Sequence, residues 1–155
     1  MKPVLLIGLG NPLMGDDAVG CMVAKMLAAD PRLPKNVEVI CGGPDLLRYA
    51  GQMEGRRRVV VVDALQDSAE PGSVRVFEAD DGELDDQQVH AHHLSAVQAM
   101  KLLQTIRAVR CRLIGIGISS AVMVNGLSPP VEARMPAIVD RVLEEVGHRF
   151  SDGWT

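Results

Sequence analysis

Two aspartates close a glycine-rich loop near the start of the chain, Gly8-Leu9-Gly10-Asn11-Pro12-Leu13-Met14-Gly15-Asp16-Asp17. A third aspartate ends an apolar run, Val59-Val60-Val61-Val62-Asp63-Ala64, and three of the four histidines crowd into His90-Ala91-His92-His93. Carboxylates and imidazoles together suit a borderline or intermediate divalent cation. Two carboxylates brought close without a cation resist joint ionisation, and a metal removes that cost. Each residue also has an ordinary reading. Asp16 is expected as a helix N-cap, and Asp17 alone is a first-turn acid favoured by the helix dipole. Asp63 alone is a turn or capping residue, and the histidines are a cap or surface groups. The combination carries the chemical signal.

A nucleotide site is the other reading of such a loop, and the details oppose it. The dinucleotide fingerprint wants a third glycine three residues after Gly10, and Leu13 stands there. A phosphate loop wants lysine after its last glycine, and Gly15 is followed by Asp16. Two carboxylates at a helix N-terminus occupy the electropositive end and repel phosphate.

The elements that must position these groups follow from hydrophobic periodicity. Strands are expected at 3–8, 36–41, 58–63, 73–78 and 111–117. The first, third and fifth are nearly continuous apolar runs, as central strands covered on both faces require. The fourth largely alternates and follows Glu70-Pro71-Gly72, which predicts an antiparallel edge strand entered through a turn. Helices are expected at 17–29, with Val19, Met22, Val23, Met26 and Leu27 on its apolar stripe, and at 45–53. A third, 93–107, presents Leu94, Val97, Met100, Leu103 and Ile106. The last, roughly 130–147, presents Val131, Met135, Ile138, Val142 and Val146, with a kink or a broken first turn expected at Pro136. The alternation predicts an α/β fold: a three-layer α/β/α sandwich around a twisted, mostly parallel five-stranded sheet with one antiparallel edge. If the first and third strands are neighbours, Asp17 and Asp63 meet at adjacent carboxyl ends. The glycines 8, 10, 42 and 43 are then expected to rim a metal-facing cleft.

Composition narrows the partners. A chain of 155 residues, 47% hydrophobic and 23% charged, is expected to form one globular domain spanning 1–155. A net charge of -4 argues against a nucleic-acid or anionic-membrane footprint. One Trp, one Tyr and two Phe leave little for base or sugar stacking. The N-terminal apolar run is too short for a signal-peptide core, and no stretch approaches the ~20 residues of a membrane span. Cys21, Cys41 and Cys111 are widely spaced and odd in number, with no Cys-x-x-Cys. They are expected as small buried hydrophobes in a reducing cytoplasm, the expected location of the protein.

At this point the residues resemble a known family, the maturation peptidases of nickel-iron hydrogenases. Gly8 to Gly20 is similar to its signature G-[IVL]-G-N-x-[LM]-x-x-D-[DE]-x-x-G, Val61-Val62-Asp63-Ala64 to its strand-ending [IV]-[IVA]-D-A, and Gly126 to Ala133 to the opening of its final helix. The resemblance implies an endopeptidase that removes a C-terminal extension from a hydrogenase large-subunit precursor after nickel insertion. By motif position it implies Asp17, Asp63 and His92 as the metal-contacting and catalytic residues, with His93 one register away. The nickel is expected to arrive on the substrate, with no organic cofactor and no resident ion held tightly. The chain departs from the pattern at Cys41, where many relatives carry an acid before Gly-Gly, and at Pro44-Asp45, where threonine is common. Two rival functions remain: a non-catalytic metal-dependent docking protein for the immature subunit, and a small-molecule hydrolase or phosphorylase on a similar sheet. The oligomeric expectation is a monomer.

Overall fold

The computed structural model describes residues 1–66, 70–78, 96–107, 110–118 and 126–147. Its element order is β1 (Val4–Gly8), a 3₁₀ turn (Gly15–Ala18) running into α1 (Val19–Ala28), and β2 (Val37–Cys41). A second 3₁₀ turn (Leu46–Tyr49) runs into α2 (Ala50–Met53), followed by β3 (Arg58–Gln66), β4 (Val74–Glu78), α3 (Ala96–Arg107), β5 (Cys111–Ile118) and α4 (Pro129–Gly147). The five strands form one sheet in the order β2-β1-β3-β5-β4. β1 pairs in parallel with β2 and β3, β3 pairs in parallel with β5, and β4 is the antiparallel edge. This is the expected three-layer α/β/α architecture.

The sheet is covered on both faces because its central strands are nearly continuous apolar runs. Val4 and Leu6 pack with Val60, Val62, Ile114 and Ile116 under α1 and α4. Leu5, Ile7, Val59, Val61 and Leu113 pack on the opposite face under Leu46, Met53, Met100 and Leu103. Asp45 caps the second 3₁₀ turn, its carboxylate accepting from the Leu47 N–H at 3.0 Å.

Two helices differ from expectation. In α1 the buried stripe is Val19, Val23 and Leu27, completed by Gly20, Cys21 and Ala24, while Met22 and Met26 face solvent. Small residues on that side let the helix lie close to the sheet, and closeness rotates the larger methionines outward. In α4 the expected stripe from Val131 to Val146 is buried as read, but the helix runs through Pro136 without a break. Pro136 lies on the exposed face, where a carbonyl deprived of its helical partner can be solvated. Of the stripe read for the third helix, Met100 and Leu103 are buried; Leu94 lies outside the described residues, as do the side chains of Val97 and Ile106.

Candidate active site

The carboxyl ends of β1 and β3 are where this sheet divides. The chain leaves β1 through α1 for β2 on one side, and β3 lies on the other. Such a switch point, where connections diverge, is the usual ligand crevice of an open α/β sheet. β1 stops at Gly8, opposite Val62, while β3 continues past Asp63 to Gln66 along β5. Asp63 is therefore the first residue of β3 to emerge beyond β1, not the strand's last. The Leu9 N–H, donating to the Val62 carbonyl at 2.8 Å, fixes where the β1 chain turns away.

The loop after β1 brings the second carboxylate to this point. Gly8, Gly10 and Gly20 leave no room for a Cβ. One at Gly8 would strike Gly20 and Ala24, one at Gly10 the Asp17 carbonyl, and one at Gly20 the carbonyls of Leu9 and Val62. Gly10 is also held at φ 150°. These glycines thus seat the 3₁₀ turn and α1 directly on the ends of β1 and β3. Gly20 supplies the close helix–strand contact that the dinucleotide fingerprint assigns to its third glycine. Gly8 and Gly10 are accordingly buried beneath backbone and do not rim an open cleft, contrary to expectation. They bring Asp17 down to the sheet.

Asp17, half-buried, accepts from the Asn11 N–H at 3.1 Å. Asp63 accepts from its neighbouring Ala64 N–H at 2.8 Å. Burial pushes the Asp63 carboxyl up to about 7, and the nearby negative charge of Asp17 pushes in the same direction. The structure thus brings together the two carboxylates singled out in the sequence. His92, with His90 and His93, lies outside the described residues.

Asp16 has a different role from the expected cap. The 3₁₀ turn has no side-chain cap. The buried Asp16 carboxylate instead accepts from the Ser128 N–H at 2.6 Å and the Ser128 hydroxyl at 2.7 Å, just ahead of α4. It ties the opening loop to the last helix across the sequence. Nothing in the sequence signalled this contact, which joins residues 112 positions apart.

The cysteines also depart from expectation. Cys111 is buried, with its thiol pushed up to about 12 by burial. Cys41 is exposed at the end of β2 and forms a disulfide with Cys21 of α1, with the Cα atoms 5.0 Å apart. The two residues are 20 apart in sequence, so spacing alone could not reveal the pair.

An electron-rich pair at neutral pH invites a cation. Asp17 and Asp63 supply hard oxygen donors and negative charge, and their mutual repulsion is the cost that a bound cation removes. Two acidic oxygen donors could contribute to holding a divalent cation and would repel a phosphate or another anion; among the described residues no group of three His, Cys, Asp or Glu that could hold a metal is found. The fold is that of an open-sheet α/β protein, with its candidate site at the β1/β3 carboxyl edge.

Comparison with known proteins narrows that class. The family model for the HycI hydrogenase maturation protease matches residues 21–145. Over 153 residues the chain is 30% identical to coenzyme F420 hydrogenase subunit delta of Methanothermobacter thermautotrophicus, covering 93% of this chain and 94% of that relative. Over 144 residues it is 26% identical to the hydrogenase 2 maturation protease of Escherichia coli, covering 90% and 88%. The crystal structure of HycI from Thermococcus kodakarensis KOD1 matches with a TM-score of 0.78 at 21% identity, covering 95% and 94%, a likeness of fold. The hydrogenase maturating endopeptidase HybD from E. coli matches with a TM-score of 0.74 at 26% identity, covering 93% of each chain. The chain belongs to the hydrogenase maturation protease family. It is a hydrolase of the peptidase class. Among the described residues no helix is long and apolar enough to cross a membrane.

Proposed function

We propose that this peptidase removes the C-terminal extension of a [NiFe] hydrogenase large-subunit precursor after nickel has been inserted. Asp17, Asp63 and His92 together engage the nickel that the precursor carries. The observation supporting this reading is the carboxylate pair at the β1/β3 switch point, where burial first, and then repulsion from the nearby charge of Asp17, raises the Asp63 carboxyl to about 7. A cation arriving on the substrate relieves that repulsion, so docking is strongest for a metal-loaded precursor. Seating the metal there also places the adjoining peptide against the carboxyl edge of the sheet. The metal polarises the scissile carbonyl or an attacking water, and either effect lowers the barrier to hydrolysis. The nickel belongs to the substrate; the enzyme contributes charge, an imidazole and position.

The test is incubation of the purified protein with nickel-loaded precursor, followed by intact mass spectrometry of the precursor. A single loss of a C-terminal peptide is expected. Stable binding without mass loss would identify a docking protein. Neither binding nor mass loss, with turnover of a small ester or nucleoside instead, would identify a small-molecule enzyme.

A further inference from the structure

The disulfide lies beside the site without belonging to it. Along β2, Val37 and Val39 pack into the core under α1, and Cys41 continues the same face to the strand's end, opposite Gly8 of β1. Cys21 is the third residue of α1, one helical turn beyond Asp17. The bond therefore joins two segments that frame the candidate site. On the β2 side, the Gly42 N–H donates to the Gly8 carbonyl at 2.8 Å, and the Gly43 carbonyl accepts from the Gly10 N–H at 3.4 Å. On the α1 side, the turn preceding the helix carries Asp17, which grips the Asn11 N–H.

The two cysteine residues are unequally exposed. Cys41 is exposed and Cys21 is only 6% exposed. We infer that Cys21–Cys41 is a reversible thiol–disulfide pair, with Cys41 as the sulfur that a low-molecular-weight thiol attacks, and that its state sets how firmly the Asp17 loop is held. An incoming thiolate bonds to Cys41 Sγ, the Cys21–Cys41 bond breaks, and the electron pair leaves on Cys21 as a thiolate. That leaving group lies in the first turn of α1, where the positive end of the helix favours a thiolate and so eases departure. A second external thiolate attacks the mixed disulfide, releasing a low-molecular-weight disulfide and the Cys41 thiolate, and both protein thiolates take protons from solvent. The protein disulfide is reduced to two thiols while two external thiols are oxidised to one disulfide. Cys111, buried on β5, takes no part.

The test uses the folded full chain in glutathione buffers of varied reduced-to-oxidised ratio, quenched with an alkylating agent and read by peptide mass spectrometry. Cys21 and Cys41 should lose alkylation together as oxidised glutathione increases, and regain it on return to reduced glutathione without denaturant. In Cys21→Ser a glutathione adduct should accumulate on Cys41, whereas Cys41→Ser should leave Cys21 without one. Hydrogen exchange in the Leu9–Asp17 loop should be faster in the reduced wild type than in the oxidised, and should not respond to redox state in Cys41→Ser. Three results would overturn the inference: both cysteines alkylated in fully oxidised buffer, a disulfide reducible only after unfolding, or loop exchange indifferent to the bond. None of these readouts uses a peptidase substrate, so they stand apart from the proposed activity.

Discussion

Asp63 sits where charge is costly, and that cost can be measured. Its carboxyl is raised to about 7 from an unfolded value of 3.8, so ionisation works against the fold. The favourable state is the protonated one. Its contribution is complete below roughly pH 4 and disappears as pH rises through about 7. Asp63→Asn keeps the shape and removes the titration. Without metal, thermal melts should therefore show the variant gaining on the wild type as pH rises across that window. A constant difference at every pH would mean that Asp63 is not held near neutrality. In cleavage assays the same substitution should cost more than the ~10–100-fold typical of losing a mere supporting partner of a metal ligand. Near-normal processing would remove Asp63 from the site. Among the histidines, His92→Ala should abolish processing while His90→Ala and His93→Ala remain milder; loss with His93→Ala alone would shift the ligand by one residue. Asp16 belongs to structure. Asp16→Ala breaks two charge-assisted hydrogen bonds to Ser128 and should lower unfolding free energy by on the order of 3 kcal/mol in a denaturant titration. Cleavage should be largely retained at a temperature where the variant is folded. A fully stable variant would show that the Ser128 contacts contribute nothing.

The element that matters most is the 3₁₀ turn and α1, because it brings a carboxylate from one strand end to another. Its seating depends on Gly20, whose missing side chain admits the carbonyls of Leu9 and Val62. Gly20→Ala forces backbone apart and should destabilise by about 1–3 kcal/mol, with cleavage falling further than stability accounts for because Asp17 moves with the turn. Denaturant titration and cleavage assays on the same preparation would separate the two effects; unchanged cleavage by a destabilised variant would show that Asp17 does not depend on this contact. Strand positions were readable in the sequence because buried central strands are continuously apolar, and Val59 to Val62 can hardly be anything else. Strand ends were less readable. β3 reaches Gln66 because β5 goes on pairing with it after β1 has stopped, a long-range effect that no local pattern carries. The facing of α1 was misjudged at Met22 and Met26 because hydrophobicity alone outweighed the small residues that actually touch the sheet. The disulfide, too, depends on two elements meeting. A closed loop of this length confers about 3 kcal/mol on the chain-entropy account.

At the scale of the whole molecule, sheet order turns separate motifs into one site. The β2-β1-β3 arrangement places the Gly8–Asp17 loop beside the end of β3, so acids 46 positions apart by number come near enough to interact electrostatically. The sequence supported that neighbourhood because each motif closes a strand-like run, and open sheets concentrate function at carboxyl ends. The expectation that Asp17 and Asp63 come near one another was available for the same reason. The pairing of Asp16 with Ser128 was not, since it depends on α4 returning across the sheet to the opening loop. The central claim is that the carboxylate pair waits for a metal carried by the substrate. On the proposed reading, two carboxylates and one imidazole form a set poorer in nitrogen and sulfur donors than a tightly held zinc site, and the precursor's nickel completes it. The most direct measurement is cleavage of matched nickel-free and nickel-loaded precursor by the same preparation, with metal analysis of the isolated enzyme alongside. Nickel-loaded precursor should be cut once, nickel-free precursor should remain intact with enzyme in excess, and the enzyme should hold well under one tightly bound ion per chain. Stoichiometric zinc that survives a chelator, together with cleavage of the nickel-free precursor, would contradict the account.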